Sequence, residues 1–83
     1  MYLVELMPKA IKDLKNIPKP QARKIVDKIQ VLENGLTGNI KKLTNFSPEY
    51  RLRIGNYRVL FEIEDHTILI YRVLHRKTAY TQR

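Results

Sequence analysis

Hydrophobic positions change their period twice along the chain. The run Tyr2-Leu3-Val4-Glu5-Leu6 is short, rich in β-forming residues and bounded by Pro8, which predicts a strand at or near a sheet edge over residues 2–6. From Pro8 the period lengthens. Ala10, Ile11, Leu14 and Ile17 recur at helical spacing, Lys9, Lys12 and Lys15 take the wet side, and the proline suits a first turn, where no amide donor is needed. Ile17-Pro18-Lys19-Pro20 breaks that helix. A second one is expected from Pro20, with Ala22, Ile25, Val26, Ile29 and Leu32 on one face and Glu33-Asn34-Gly35 as its stop. Residues 35–49 hold Gly35, Gly38 and Pro48 and keep no period, so they read as a loop with at most a brief helical turn. Period two then takes over, giving strands at 50–54, 57–64 and 67–75 separated by Gly55-Asn56 and Asp65-His66, and a short, mostly polar tail follows Arg76. The expected fold class is α+β in the order β-α-α-β-β-β: a helical hairpin packed on one face of a small, mainly antiparallel twisted sheet, ending in a short C-terminal tail or helix. With 83 residues the chain supports one core, and residues 1–83 form a single domain.

The hairpin Tyr50–Ile63 carries the first sign of chemistry. A two-residue turn at Gly55-Asn56 sets Ile54 opposite Tyr57, Arg53 opposite Arg58, Leu52 opposite Val59, Arg51 opposite Leu60 and Tyr50 opposite Phe61. Because side chains alternate, Tyr50, Leu52, Ile54, Tyr57, Val59 and Phe61 share a face suited to the helices. Arg51, Arg53 and Arg58 share the other, which is expected to be wet. Like charges directly across a ladder cost roughly 0.2–1 kcal/mol, a cost that folding does not explain and a bound polyanion would reverse. Guanidinium forks match phosphate oxygens and stay charged, so the three arginines read as a phosphate clamp. With Asp65-His66 as the next turn, Phe61 faces Ile70 and Arg58 faces Val73. That register places Tyr71, Val73 and His75 on the arginine side and turns Arg72 toward the core, and a slip of one residue reverses it. Arg76 and Tyr80 leave the sheet where they can reach round to the clamp.

Composition sharpens this picture. Sixteen Lys and Arg against eight Asp and Glu give a formal charge of +8, with a pI near 10.0, so a polyanion is the expected partner. Nucleic acid leads, ahead of an anionic membrane surface or an acidic protein. The absence of cysteine excludes disulfides and thiolate metal sites and suits a reducing cytosol. Only His66 and His75 remain as neutral metal ligands. No apolar run approaches the ~20 residues of a membrane span, and the N-terminus lacks a signal-peptide pattern, so a cytoplasmic protein is expected. There is no RNA-stacking aromatic signature, glycine-rich phosphate loop, zinc spacing or paired carboxylate motif; Glu49, Glu62 and Glu64 read as surface groups.

The segments YRLRIGNYRVLFEI and VLHRKTAY, with IKKL before the hairpin, resemble the RelE/ParE superfamily of bacterial and archaeal toxins, on the RelE side. The likeness runs through nearly the whole chain: length, element order, the basic-x-basic pattern, the Gly-Asn-Tyr-Arg turn and the terminal His-Arg-x-x-x-Tyr. It implies a toxin of a type II toxin-antitoxin system that cleaves mRNA in the ribosomal decoding site by attack of a 2′-hydroxyl on the adjacent phosphate, without metal or other cofactor. It implies a cognate antitoxin and the ribosome with its mRNA as partners, and no membrane. Arg51 and Arg53 fall where relatives often carry catalytic lysines, Arg58 at the arginine after the hairpin turn, and Arg76 and Tyr80 at the C-terminal arginine and tyrosine.

By that resemblance Arg58 and Arg76 clamp the charge that grows on the phosphorane, and Tyr80 stacks on a base or assists the leaving 5′-oxygen, stacking being favoured. Arginine is a poor proton acceptor, so Arg51 and Arg53 serve as electrostatic and positioning groups. The base is left to His75, whose residue type titrates near ~6.5, or to the ribosome or water. Two other functions share these features. One is a ParE-like toxin that inhibits DNA gyrase without RNA chemistry. The other is a non-catalytic RNA-binding or ribosome-binding module.

Overall fold

In the computed structural model, which describes residues 1–43 and 47–79, the chain folds as β1 (Leu3–Leu6), α1 (Pro8–Lys15), α2 (Lys19–Val31), a 3₁₀ turn (Leu32–Asn34), β2 (Asn39–Lys42), β3 (Tyr50–Ile54), β4 (Tyr57–Glu64), β5 (Thr67–His75) and α3 (Arg76–Ala79). The strands form a five-stranded sheet in the order β1-β5-β4-β3-β2. β1 lies at one edge and pairs in parallel with β5, while the remaining pairs are antiparallel. The expected α+β class stands, with the helical hairpin of α1 and α2 on one face of a mainly antiparallel sheet.

Both helices open on proline in their first turn, as their sequences direct. Their apolar stripes meet one face of the sheet. Ala10, Ile25, Ile29 and Leu32 bury against Leu52, Val59, Phe61, Ile68, Ile70 and Val73. Tyr50 stacks on its cross-strand partner Phe61 at 5.4 Å, a pairing that adds to area burial on the scale of ~0.5–1 kcal/mol. Gly55 opens the β3–β4 turn with φ +57°, a conformation glycine takes without a Cβ penalty.

Two expectations are corrected. Residues 35–49 are not all loop, because Asn39–Lys42 form β2 and extend the sheet beyond the hairpin. With Ile40 as its one half-buried apolar residue between polar neighbours, this strand presents no period; it forms because the β3 edge offers it a ladder. The second correction concerns β5. Pairing follows the expected register from Glu64↔Thr67 to Phe61↔Ile70, then skips Tyr71 and resumes as Leu60↔Arg72, Val59↔Val73, Arg58↔Leu74 and Tyr57↔His75. This bulge reverses the faces beyond it. Val73 is therefore core, and His75 lies on the helix side against Tyr57 rather than beside the arginines.

Arg72, expected to turn inward, instead opposes Leu60 and reaches α1. Its Nε and Nη2 donate to Asp13 Oδ2 and Oδ1 at 2.8 and 3.1 Å, and the Val73 amide donates to the same Oδ2 at 2.9 Å. β1 ends at Leu6, opposite Ile70, so the outer edge of β5 beyond that point lacks a strand. Asp13 supplies the acceptor that a longer β1 would have provided.

Candidate functional site

The sheet face opposite the helices bears the basic groups. In β2 and β3, Lys41 stands across from Arg51 and Asn39 across from Arg53; in β3 and β4, Arg53 stands across from Arg58. Alternation puts Lys41, Arg51, Arg53 and Arg58 on one surface, with Arg51 and Arg53 about 7 Å apart along their strand. Two like-charged pairs therefore meet side by side over three strands. Lys41 is the member that sequence reasoning missed, because its strand was unrecognised; the Lys-Lys pair in IKKL was the available signal.

Arg58 differs from the expectation of a wet face. It is only 3% exposed. Its Nη1 donates to the carbonyl oxygens of Gly55 at 2.9 Å and Tyr57 at 3.1 Å, which bracket the hairpin turn. Leu60 and Leu74 on the same side are also buried, at 9% and 6% exposure. α3 packs on β4 and β5, and the Arg76 amide donates to Asn56 O at 2.7 Å, which ties the backbone of the exposed Arg76 to the hairpin turn.

A groove of about 780 Å³ adjoins this cluster on the same face. Leu43, Leu60 and Leu74 are among its apolar lining residues, and Arg51, Glu62, Tyr71 and Arg72 are among its polar ones. Glu62 Oε2 accepts a hydrogen bond from Ser47 Oγ at 3.0 Å. The expected site residues thus divide. Arg51 belongs to the groove, whereas Arg53 and Arg58 stand opposite each other beside the hairpin turn, to which Arg76 is tied by its amide. His75 is on the other face, its Nδ1 accepting from the Lys77 amide at 3.3 Å and its ring edge-on to Tyr57 at 5.5 Å. Tyr80 lies outside the described residues.

The Asp13 hydrogen bond, aided by its charge and opposed by burial, raises the pKa of Arg72, so that guanidinium is committed to holding β5. Among the described residues there is no cluster of His, Cys, Asp and Glu able to hold a metal ion, and no helix is long and apolar enough to cross a membrane.

A buried cation braced at a hairpin turn, with exposed cations around it on an antiparallel sheet, is equipped to receive phosphate oxygens and to stabilise charge that develops on them. Known proteins share this framework. A family described as ParE toxin of type II toxin-antitoxin system, parDE, matches residues 4–80. Toxin RelE3 of Methanocaldococcus jannaschii is 39% identical over 75 residues, covering 84% of this chain and 85% of the relative. The RelBE2 toxin-antitoxin complex of Mycobacterium tuberculosis contains a chain with TM-score 0.78 and 29% identity, covering 90% of this chain and 98% of its own. The RelB-RelE antitoxin-toxin complex of Methanococcus jannaschii gives TM-score 0.69 and 34% identity, covering 92% of this chain and 94% of the other. The chain belongs to the RelE/ParE superfamily, on its RelE-type branch, and is a toxin of a type II toxin-antitoxin system.

Proposed function

We propose that this toxin is an endoribonuclease that cuts mRNA on the ribosome by intramolecular attack of a 2′-hydroxyl on the adjacent phosphate. The observation that carries the reading is Arg58, charged, 3% exposed, braced by two turn carbonyls and standing opposite Arg53. As the 2′-oxygen bonds to phosphorus, negative charge grows on the phosphorane oxygens before the 5′-oxygen leaves. A guanidinium already fixed in place stabilises that charge without reorganising, and so favours the transition state over the bound strand. Arg53 and Arg76 complete the clamp, and Arg51 with Lys41 positions the strand toward the groove. Tyr80 stacks on a base beside the scissile bond. His75, placed across the sheet, stands apart from this chemistry, and the proton passes to water or to a ribosomal group. The reaction needs no metal.

The toxin works in the cytoplasm and is held inactive by a RelB-like antitoxin, as the relatives solved as RelB–RelE complexes suggest. A segment with apolar and acidic residues suits the 780 Å³ groove and its cationic border. The description of the matching family favours one competing reading, a ParE-like toxin acting on DNA gyrase. Mapping RNA ends after brief expression separates the two. New 5′ ends inside translated reading frames are expected; DNA damage without such ends would assign the chain to the gyrase class, and neither outcome would leave a non-catalytic binder.

A further inference from the structure

Two consecutive residues of β5, Tyr71 and Arg72, line the 780 Å³ groove together. A regular strand sends neighbours to opposite faces. The bulge undoes that alternation, leaving Tyr71 out of the pairing with β4 and turning it to the face that Arg72 also takes. Arg72 has its own reason to be there, in the two hydrogen bonds to Asp13. For Tyr71 no ring pair or hydrogen bond among the described residues supplies one. Glu62 raises the same question from β4. It follows Leu60 on the same face, and Leu60 pairs with Arg51. Its Oε2 accepts from Ser47 Oγ at 3.0 Å, while Oε1 accepts no hydrogen bond among the described residues. The carboxylate is thus held in place with one oxygen left over.

Beside Lys41, Arg51, Arg53 and Arg58, a fixed carboxylate repels phosphates, and a surface made only to grip a backbone gains nothing by it. It gains when the part of the nucleotide that enters is the uncharged one. A nucleobase is apolar on its faces and polar along its edge, and the groove answers both: Leu60 and Leu74 give an apolar floor, Tyr71 a ring to stack on, and Glu62 an acceptor for the edge. Glu62 lies four residues along β4 from Arg58, ~13 Å at strand rise, so the base that reaches it is a neighbour of the cut and not the nucleotide in the clamp. Adenine, cytosine and guanine each carry an exocyclic amine that donates to a carboxylate oxygen. Uracil offers one N–H set between two carbonyl oxygens, which a carboxylate repels.

We propose that the groove is a nucleobase subsite in which Tyr71 stacks on one base near the cut and Glu62 reads its edge, admitting bases with an exocyclic amine and excluding uracil. The inference rests on the RNA reading given above. The test uses the full-length chain and ribosomes programmed with mRNAs in which each position flanking the cut carries each of the four bases in turn, and it reads single-turnover cleavage. The parental chain is expected to cut about 10- to 100-fold more slowly with uracil at one neighbouring position, the scale of one hydrogen bond to a charged group. Glu62→Gln is expected to erase that preference or turn it toward uracil, since an amide donates to a uracil carbonyl while accepting its N–H. Tyr71→Ala is expected to slow cutting for all four bases alike and Tyr71→Phe to restore it, because stacking needs the ring and not the hydroxyl. Circular dichroism confirms that the variants fold. The parental base ranking in Glu62→Gln, at full or reduced rate, overturns the readout, and Tyr71→Ala at the parental rate overturns the stacking. Variants that cut as the parent does but lose antitoxin capture would give the groove to the antitoxin alone. A parental chain that cuts with no base preference near the cut removes only the subsite, whereas one that cuts no mRNA on ribosomes removes the RNA reading as well.

Discussion

A guanidinium held by the carbonyl oxygens of Gly55 and Tyr57, on a residue 3% exposed, has lost its rotamer freedom before any ligand arrives. In the proposed function that residue serves both the turn and the site. Arg58→Ala should therefore lower stability by about 1–3 kcal/mol, through lost hydrogen bonds and packing, partly offset by relief of the Arg53 repulsion. Cleavage by the folded fraction should fall by about one to three orders of magnitude, the scale of losing one oxyanion donor. Arg53→Ala is the informative contrast, since Arg53 is exposed and opposes Arg58: urea denaturation should show unchanged or slightly raised stability, with single-turnover cleavage slowed. Equal destabilisation by the two variants would show that the difference in burial is not felt. For His75 the placement against Tyr57 leads to another expectation: His75→Gln should leave the shape of the pH–rate profile on saturating ribosome complexes unchanged. Disappearance of an acidic limb would return the histidine to the chemistry.

Between elements, the Asp13 bridge is the contact whose loss should be felt most widely, because one carboxylate serves Arg72 in two hydrogen bonds and the Val73 amide in a third. Asp13→Ala should cost about 2 kcal/mol, and Asp13→Asn less, since the amide oxygen can still accept from Val73; chemical denaturation of both measures this. The pH dependence has a definite sign. Because the pKa of Arg72 is raised on folding, its contribution is complete below the unfolded value and is lost only as pH climbs through the folded one, so at neutral and mildly alkaline pH Arg72 adds no slope to stability. Elements differ in how plainly the sequence announces them. The turn pair Gly55-Asn56 determines the β3–β4 register residue by residue, because a two-residue loop admits one pairing and the apolar face admits one orientation. β2 has no such signal, its four residues deriving order from the β3 edge. The bulge at Tyr71 has none either, since no glycine marks it; the conflict of Arg72 pointing into the core was its only trace. That one extra residue decided which face received His75, and so which members of the expected site were brought together.

For the molecule as a whole, the charge of +8 raises the expectation of a polyanion partner, but its distribution over both sides of the sheet depends on how α2 crosses the hairpin turn, a tertiary relation absent from any local pattern. The parallel pairing of β1 with β5 is of the same kind, and it has a kinetic consequence. About three quarters of the chain lies between Leu3 and its partner Thr67, whereas β3, β4 and β5 join through tight turns. Closing so long a loop carries an entropic cost that the hairpins avoid, so the three-strand meander should form early on the folding route and β1 should dock after the rate-limiting barrier. Val4, half-buried against the core, reports on this step. In stopped-flow experiments Val4→Ala should chiefly speed unfolding and leave the folding rate nearly unchanged, whereas Val59→Ala in the meander should slow folding itself. Comparable slowing of folding by both would mean that the two ends of the chain meet before the barrier is crossed.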